Sequence, residues 1–289
     1  NLSENRILKS YNKHIIIAGS ARSGTSWLAE IIALQFRYRL LFEPEHEYQT
    51  QEGHLICDKF ITEGILQNEQ EEYFKKIFKN KIDSDWIAQI SNRKLKMHLW
   101  PVVPKKYVIK FVRCNLSAHF MSSYFEIPLL FITRNPYDVI LSQNRVKFNW
   151  LYNLNHFKHQ KPITEVLESK YNFSWDEADG YSEIETLSLR WCIENKVVFD
   201  LHEADNSNLK IVKYEDLKSD INLFYDLCKT YDLKPLSNLE ELYSRPSSKT
   251  HPESNIKSGS KNVQNVDADS FEIIKKTLDR FNVDNYQIP

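Results

Sequence analysis

The sequence predicts an α/β fold, a mostly parallel β-sheet flanked by helices, in a single domain over residues 1–289. Three observations carry that prediction. Short apolar runs bounded by turns or charges alternate with longer amphipathic stretches. The first run passes into a loop bracketed by two of the chain's six glycines. No run approaches the roughly 18 apolar residues that a membrane helix needs. With 289 residues, 42% of them hydrophobic, the chain can bury a substantial core. Lys and Arg number 38 against 39 Asp and Glu, so no overall field favours nucleic acid or an anionic membrane. Any anion site must be local.

Taken in order, residues 14–18 read as a buried strand and 25–36 as the helix that follows it. Residues 38–42 and 55–57 read as the next two strands. Helical spacing recurs in parts of 68–79 and 86–99, and residues 107–112 and 129–133 return to strand. At 136–148 a helix is expected, with Asn135 able to cap it and Pro136 suited to its first position. The clearest helix spans 183–202. Ser182 and Glu185 form a capping-box pattern there, and Ile184, Leu187, Trp191, Val198 and Leu201 share one face. A last strand follows at 209–213. The least regular stretches are 148–162, aromatic and basic, and 243–266, polar with prolines; both are candidate lids or substrate loops. Cys57, Cys114, Cys192 and Cys228 lie far apart without a C-x-x-C pair, which argues against a zinc site or disulfide scaffold and for a reducing compartment. N-x-[ST] sequons at Asn1, Asn115 and Asn172 do not decide localisation in so asparagine-rich a chain.

Gly19 and Gly24 bracket the turn between the first strand and its helix. A G-x-x-x-x-G loop there presents N–H groups from about Ser23 to Ser26 beside the positive end of the helix dipole, which suits a phosphate. A tight connection without a ligand would use the same glycines. A nucleotide-hydrolysing loop would continue G-K-[ST], but this chain has Gly24-Thr25-Ser26, and its cation, Arg22, stands earlier.

The stretch A-R-S-G-T-S-W at 21–27 resembles the 5′-phosphosulfate loop of sulfotransferases, which share a P-loop, nucleoside-kinase-like fold and use 3′-phosphoadenosine 5′-phosphosulfate (PAPS) as donor. L-L-F-I-T-R-N-P-Y-D-V-I-L-S at 129–142 resembles the family's second signature, which implies that Arg134 and Ser142 hold the donor's 3′-phosphate. An arginine fork suits that dianion. I-V-K-Y-E-D-L-K at 211–218 is similar to the family's late strand and implies Tyr214 near the nucleotide, with Glu215 and Asp216 favourable at a helix start. Trp27 matches the position that packs on adenine, although an indole in the first turn of a buried helix also serves as core. K-S-G at Lys257, Ser258 and Gly259 is a reduced counterpart of the family's R-K-G anchor. The resemblance covers most of the chain, most weakly between residues 60 and 105 and in the C-terminal tail.

L-F-E-P-E-H-E at 41–47 resembles the F-E-P segment of carbohydrate and related bacterial sulfotransferases and implies Glu43 as the base. The animal cytosolic K-T-H histidine has no counterpart, because V-I-K-F-V-R at 108–113 offers only Lys110 and Arg113. Pro44 disfavours helix at the preceding residue, so Glu43 is expected to sit extended at the end of the second strand, on the loop's edge of the sheet. His46 is its main rival as base and His119 a more distant one. Lys110, Lys257 and Lys261 are expected to be solvated surface lysines.

The resemblance implies sulfuryl transfer from PAPS to an acceptor hydroxyl or amine, releasing adenosine 3′,5′-bisphosphate (PAP), with Arg22 facing the departing phosphate. No metal is called for, since backbone N–H groups and arginine hold that phosphate. The acceptor would be a small molecule or carbohydrate rather than nucleic acid. The cytoplasm is the expected compartment, with a Golgi-lumenal catalytic domain anchored upstream of Asn1 as the alternative. Two other readings compete. A P-loop kinase or NTPase is opposed by the missing loop lysine, whereas a catalytically silent nucleotide-binding relative gains support from the missing K-T-H histidine.

Overall fold

A computed structural model of the chain describes residues 11, 13–35, 37–90, 106–202, 207–249 and 268–283. Five strands, β1 (Ile15–Ala18), β2 (Tyr38–Phe42), β3 (Lys106–Lys110), β4 (Leu129–Thr133) and β5 (Leu209–Lys213), form one sheet in the order β2-β3-β1-β4-β5. Every pairing is parallel, with Ile16 beside Ile109 on one side and Leu129 on the other. The chain leaves central β1 toward β2, returns through β3 to the other flank of β1, and only then builds β4 and β5. The order therefore reverses at the carboxyl end of β1, where open α/β sheets form their ligand crevices.

Both faces of the sheet are buried, which is why its strands read as continuous apolar runs. Ile16, Leu41, Ile109, Leu129 and Phe131 turn to one face. There they meet α2 (Asn68–Phe78), α3 (Asn115–Tyr124), α4 (Pro136–Val146) and α5 (Glu183–Cys192). Ile15, Ile17, Leu40, Val108, Leu130 and Ile132 turn to the other, under α1 (Thr25–Ala33) and a later helix, Ile221–Thr230. The alternation is the period-two pattern of a strand.

Several expectations fail for identifiable reasons. Residues 55–57 are not a strand. Ile56 and Cys57 are buried, but their N–H groups both donate to Gly53 O, at 3.1 and 3.0 Å, in a tight turn. β3 ends at Lys110 rather than Val112, because the Glu45 carboxylate accepts the next free N–H groups, of Val112 at 2.7 Å and Arg113 at 3.0 Å. Helix α3 went unrecognised. Its Ser117, Ser122 and Asn115 are buried as well as its apolar residues, so polarity does not mark a solvent face. The serine hydroxyls are absorbed locally, as in Ser122 Oγ donating to Ile127 O at 2.7 Å. The helix expected over 183–202 starts with its capping box but widens to a π-turn over Ile193–Val197 before a last α-turn. A short helix, Asp85–Ala88, opens the stretch expected to run over 86–99, and the part beyond residue 90 lies outside the described residues.

Candidate active site

The loop after β1 is shaped by what surrounds it. Gly24 has φ +100, and a Cβ there would lie 2.4 Å from the Tyr214 ring. Gly19 has φ +155, and its Cβ would meet Ile132 O at 2.3 Å. Neither position tolerates a side chain. Ser23 is 1% exposed; its N–H and Oγ both donate to Ser20 O, at 3.1 and 2.6 Å. Ser23 thus tightens the loop from inside and is not among the residues that line the cleft beside it. The first-turn N–H groups of α1, from Thr25 to Trp27, remain without intrahelical partners. From behind, Gln143 Nε2 donates to Ala21 O at 2.9 Å, and Asn195 Nδ2, set by the π-turn, donates to Ser20 Oγ at 2.5 Å.

The arginines inferred from two separate motifs are in contact. Arg134 Nη1 donates to Arg22 O at 3.2 Å, and Arg22 Nε donates to Ser142 Oγ at 3.0 Å. Arg134 also pairs with Asp138 at 3.3 Å and lies 4.8 Å over the Tyr214 ring, while its Nε is buried without a partner among the described residues. Burial, then the nearby Arg134 and Arg145, lowers the proton affinity of Arg22. Asn135 caps α4 through Oδ1, and its own N–H donates to Glu215 at 2.9 Å, so Glu215 ties β5's end to β4's.

A cleft of about 320 Å³ opens beside these groups. Arg22, Gly24, Thr25, Ser26, Trp27, Arg134 and Tyr214 line it, as the motifs imply, together with Lys218, Arg245, Ser247 and Lys249, which they do not. Among the described residues, its lining holds five cations and no carboxylate. Trp27 is both wall and core. It is 5% exposed, donates from Nε1 to Tyr243 O at 3.2 Å, and meets the Tyr243 and Tyr214 rings edge-on. Lys218 stands 4.8 Å over its ring, and burial lowers the ammonium's proton affinity. Lys218 was legible in principle, one turn past Tyr214 on the same helix, Tyr214–Ser219. Lys257, Ser258, Gly259 and Lys261 lie outside the described residues.

A second cleft, of about 500 Å³, adjoins the first across the loop. Glu43 and His46 line it. Glu43 closes the β-ladder by donating its N–H to Lys110 O at 2.9 Å, but its φ is +43, left-handed where extended backbone was expected. The reversal is what swings Glu45 back to the N–H groups beyond β3. The Glu43 carboxylate pairs with Lys110, which is 2% exposed and lies 4.2 Å over the Phe42 ring. Lys110 is therefore a buried partner and not a surface lysine; an ammonium so far from water requires such a counter-charge. His46 packs edge-on to Trp86 at 4.7 Å and accepts from Tyr48 N–H at 3.3 Å, while burial holds it below the usual imidazole range. His119 is not brought here; it stacks on His202 at 4.2 Å in a separate groove.

Glu45 escaped the sequence reading although it stands two residues from Glu43. It is 1% exposed, Oε1 accepts the two N–H bonds described above, and Oε2 has no partner among the described residues. Burial, and secondarily the charge on Glu43, pushes its carboxyl up to about 7. Arg113 reaches Glu47 and Asp58, each at 2.9 Å, and lies 4.8 Å over Trp150. Asp58 in turn pairs with fully buried Arg190, which holds Glu194. Within the stretch 148–162, Phe148 and Trp150 line the cleft, and Leu151 and Phe157 are core.

The sulfotransferase domain model matches residues 12–262. No curated protein matches the chain. Among solved structures, the sulfotransferase domain from the curacin biosynthetic pathway is 13% identical with a TM-score of 0.47, covering 96% of this chain and 98% of that one. The sulfotransferase STF9 from Mycobacterium avium is 11% identical with a TM-score of 0.46, covering 100% and 81%. Mouse sulfotransferase SULT7A1, complexed with PAP, is 12% identical with a TM-score of 0.40, covering 98% and 90%. It is the family match, spanning most of the chain and both halves of the cleft pair, that places this protein in the sulfotransferase domain family.

Proposed function

We propose that the protein moves a sulfuryl group from PAPS to an acceptor hydroxyl, carbohydrate being the favoured class, and releases PAP. The observation that carries this reading is the pair of clefts meeting at the loop, one lined by five cations and the other by Glu43. The donor-side residues fit a nucleotide phosphorylated at both ends. Gly24 leaves backbone room, Arg22 and the first-turn N–H groups suit a 5′-phosphosulfate, and Arg134, with its unpartnered Nε, suits a 3′-phosphate.

PAPS supplies a sulfuryl group on an activated phosphate. Arg22, Thr25 and Ser26, lining both clefts, hold the transfer point, and Arg22 neutralises charge on the leaving phosphate oxygen. Glu43 takes the proton from the acceptor hydroxyl as its oxygen bonds to sulfur and the bond from sulfur to the phosphate oxygen breaks. Lys110 holds one Glu43 oxygen in place, leaving the other for the acceptor. A sugar is favoured by the F-E-P resemblance and by the lining itself. Phe42, Trp86, Phe148 and Trp150 offer flat apolar faces, and Glu45 Oε2, Trp86 Nε1 and Gln89 Nε2 are polar atoms without partners.

Labelled PAPS incubated with methyl glycosides, simple phenols and primary alcohols tests the reading. Transfer to a glycoside, lost in Glu43→Gln, is the expected result. A protein that binds PAP yet labels none of the panel would point to the silent relative instead.

A further inference from the structure

Among the described residues, only Arg22, Thr25, Ser26 and Lys249 line both clefts. Three of them belong to the loop and the first turn of α1. Lys249 arrives from the other end of the chain, on a strap over 245–249 that follows the helix Leu239–Ser244. Arg245, Pro246 and Ser247 of the strap line the donor cleft. Arg245 is tied back to its own helix through Leu242 O and Glu241, and beyond it Ser247 and Ser248 hang from one carboxylate. Glu30 Oε1 accepts from Ser247 Oγ at 2.6 Å and Ser248 Oγ at 2.9 Å, and Oε2 accepts from Ser248 N at 2.9 Å. Lys249 N donates to the same Ser247 Oγ at 3.1 Å, and its Nζ reaches Gln89 Oε1, on the acceptor wall, at 2.5 Å.

Glu30 itself lines neither cleft. It stands one helical turn beyond Ser26, so the phosphate-facing N–H groups and the strap's anchor share one rigid element. We propose that Glu30 is a positioning residue that latches the strap across both clefts and thereby sets Lys249 at the junction through which the sulfuryl group passes. The proposal rests on PAPS being the donor. Three bonds to one carboxylate offset the cost of ordering a short irregular segment with a long lysine side chain. Without the latch the strap keeps its covalent route but loses its register over the loop.

The effect is readable without any acceptor, because PAPS carries the sulfuryl group and PAP does not. Calorimetric titration of the full chain with each ligand gives the comparison. Lys249→Met is expected to weaken PAPS by about 5-fold to 10-fold and leave PAP within about 2-fold, the size of one charge-assisted contact. Glu30→Ala is expected to weaken PAPS about 10-fold to 30-fold and PAP about 3-fold, because the strap's other donor-side groups loosen with it. Combining the two should weaken PAPS no further than Glu30→Ala alone, the signature of residues acting in series. A Glu30→Ala protein whose PAPS affinity is unchanged, whose losses for PAP and PAPS are equal, or whose loss multiplies with that of Lys249→Met overturns the latch. If Glu30→Ala does not fold, the double variant Ser247→Ala/Ser248→Ala removes the same bonds from the strap side and must show the same selectivity. A wild-type chain that binds neither ligand would instead overturn the donor assignment.

Discussion

On one side of the loop, Arg22, Arg134, Lys218, Arg245 and Lys249 line a cleft with no carboxylate among the described residues; on the other, Lys110 faces Glu43, and Arg113 faces Glu47 and Asp58. Asp138 and Glu241 touch two of the donor-side cations, but from outside the lining. The chain as a whole is nearly neutral, with a formal net charge of −1, so the imbalance is local. Clustered cations repel one another, and their placement makes sense when an anionic ligand supplies the missing charge. The second cleft has carboxylates, Glu43 and Glu45, in its own lining. In the proposed reaction its chemistry rests on Glu43, and its recognition on aromatic faces and a few polar atoms without partners among the described residues.

Each side can be broken separately. Glu43→Gln should produce the largest change, lowering kcat by about 10²-fold to 10⁴-fold while leaving PAP affinity within about 2-fold. Stopped-time transfer assays and PAP titration together check it, and a parallel loss of PAP binding would mean that the two clefts are not independent. Arg134→Ala should weaken PAP by about 10-fold to 100-fold, as expected for losing a charge-assisted phosphate contact, and steepen no other parameter. Its acceptor KM at saturating PAPS should stay near wild type.

Glu45→Gln should give the smallest effect, visible only against pH. The folded Glu45 carboxyl holds its proton up to about 7, above its ordinary value of 4.5. The folded state therefore binds more protons than the unfolded chain between those values, and stability falls as pH rises from about 4.5 to about 7, the loss being complete above that range. Glutamine keeps an oxygen for the Val112 and Arg113 N–H groups and carries no charge. Melting curves should show Glu45→Gln equal to wild type at pH 5 and more stable by a few degrees at pH 8. A constant offset at both pH values would remove Glu45 as a titrating group of this cleft.

The donor side was legible in the sequence because backbone geometry restricts residue choice there. A Tyr214 ring 2.4 Å from any Cβ at residue 24 requires glycine, and a strand ending in Arg134 before Asn135-Pro136 writes its own helix start. The acceptor side was less so. Glu43 could be named, yet the fate of Lys110 depended on a neighbour 67 positions away, and neither partner's local sequence reveals burial. Glu45 was hidden for the same reason, since its partners are the N–H groups of Val112 and Arg113 on another strand's exit. In the fold, the long periodic helix and the β-branched strands could be read. The turn at 55–57 was misread because a short apolar run is compatible with a strand or a turn, and α3 was missed because two of its serines, Ser117 and Ser122, are buried.

The central claim is that the cationic cleft grips a nucleotide phosphorylated at both ends. Thermal melting with PAP, compared with ATP plus magnesium at equal concentration, tests it most directly. PAP at about 100 times its Kd should raise Tm by roughly 5 to 10 °C, with ATP and magnesium giving a much smaller shift. Stronger stabilisation by ATP with magnesium than by PAP would contradict the account.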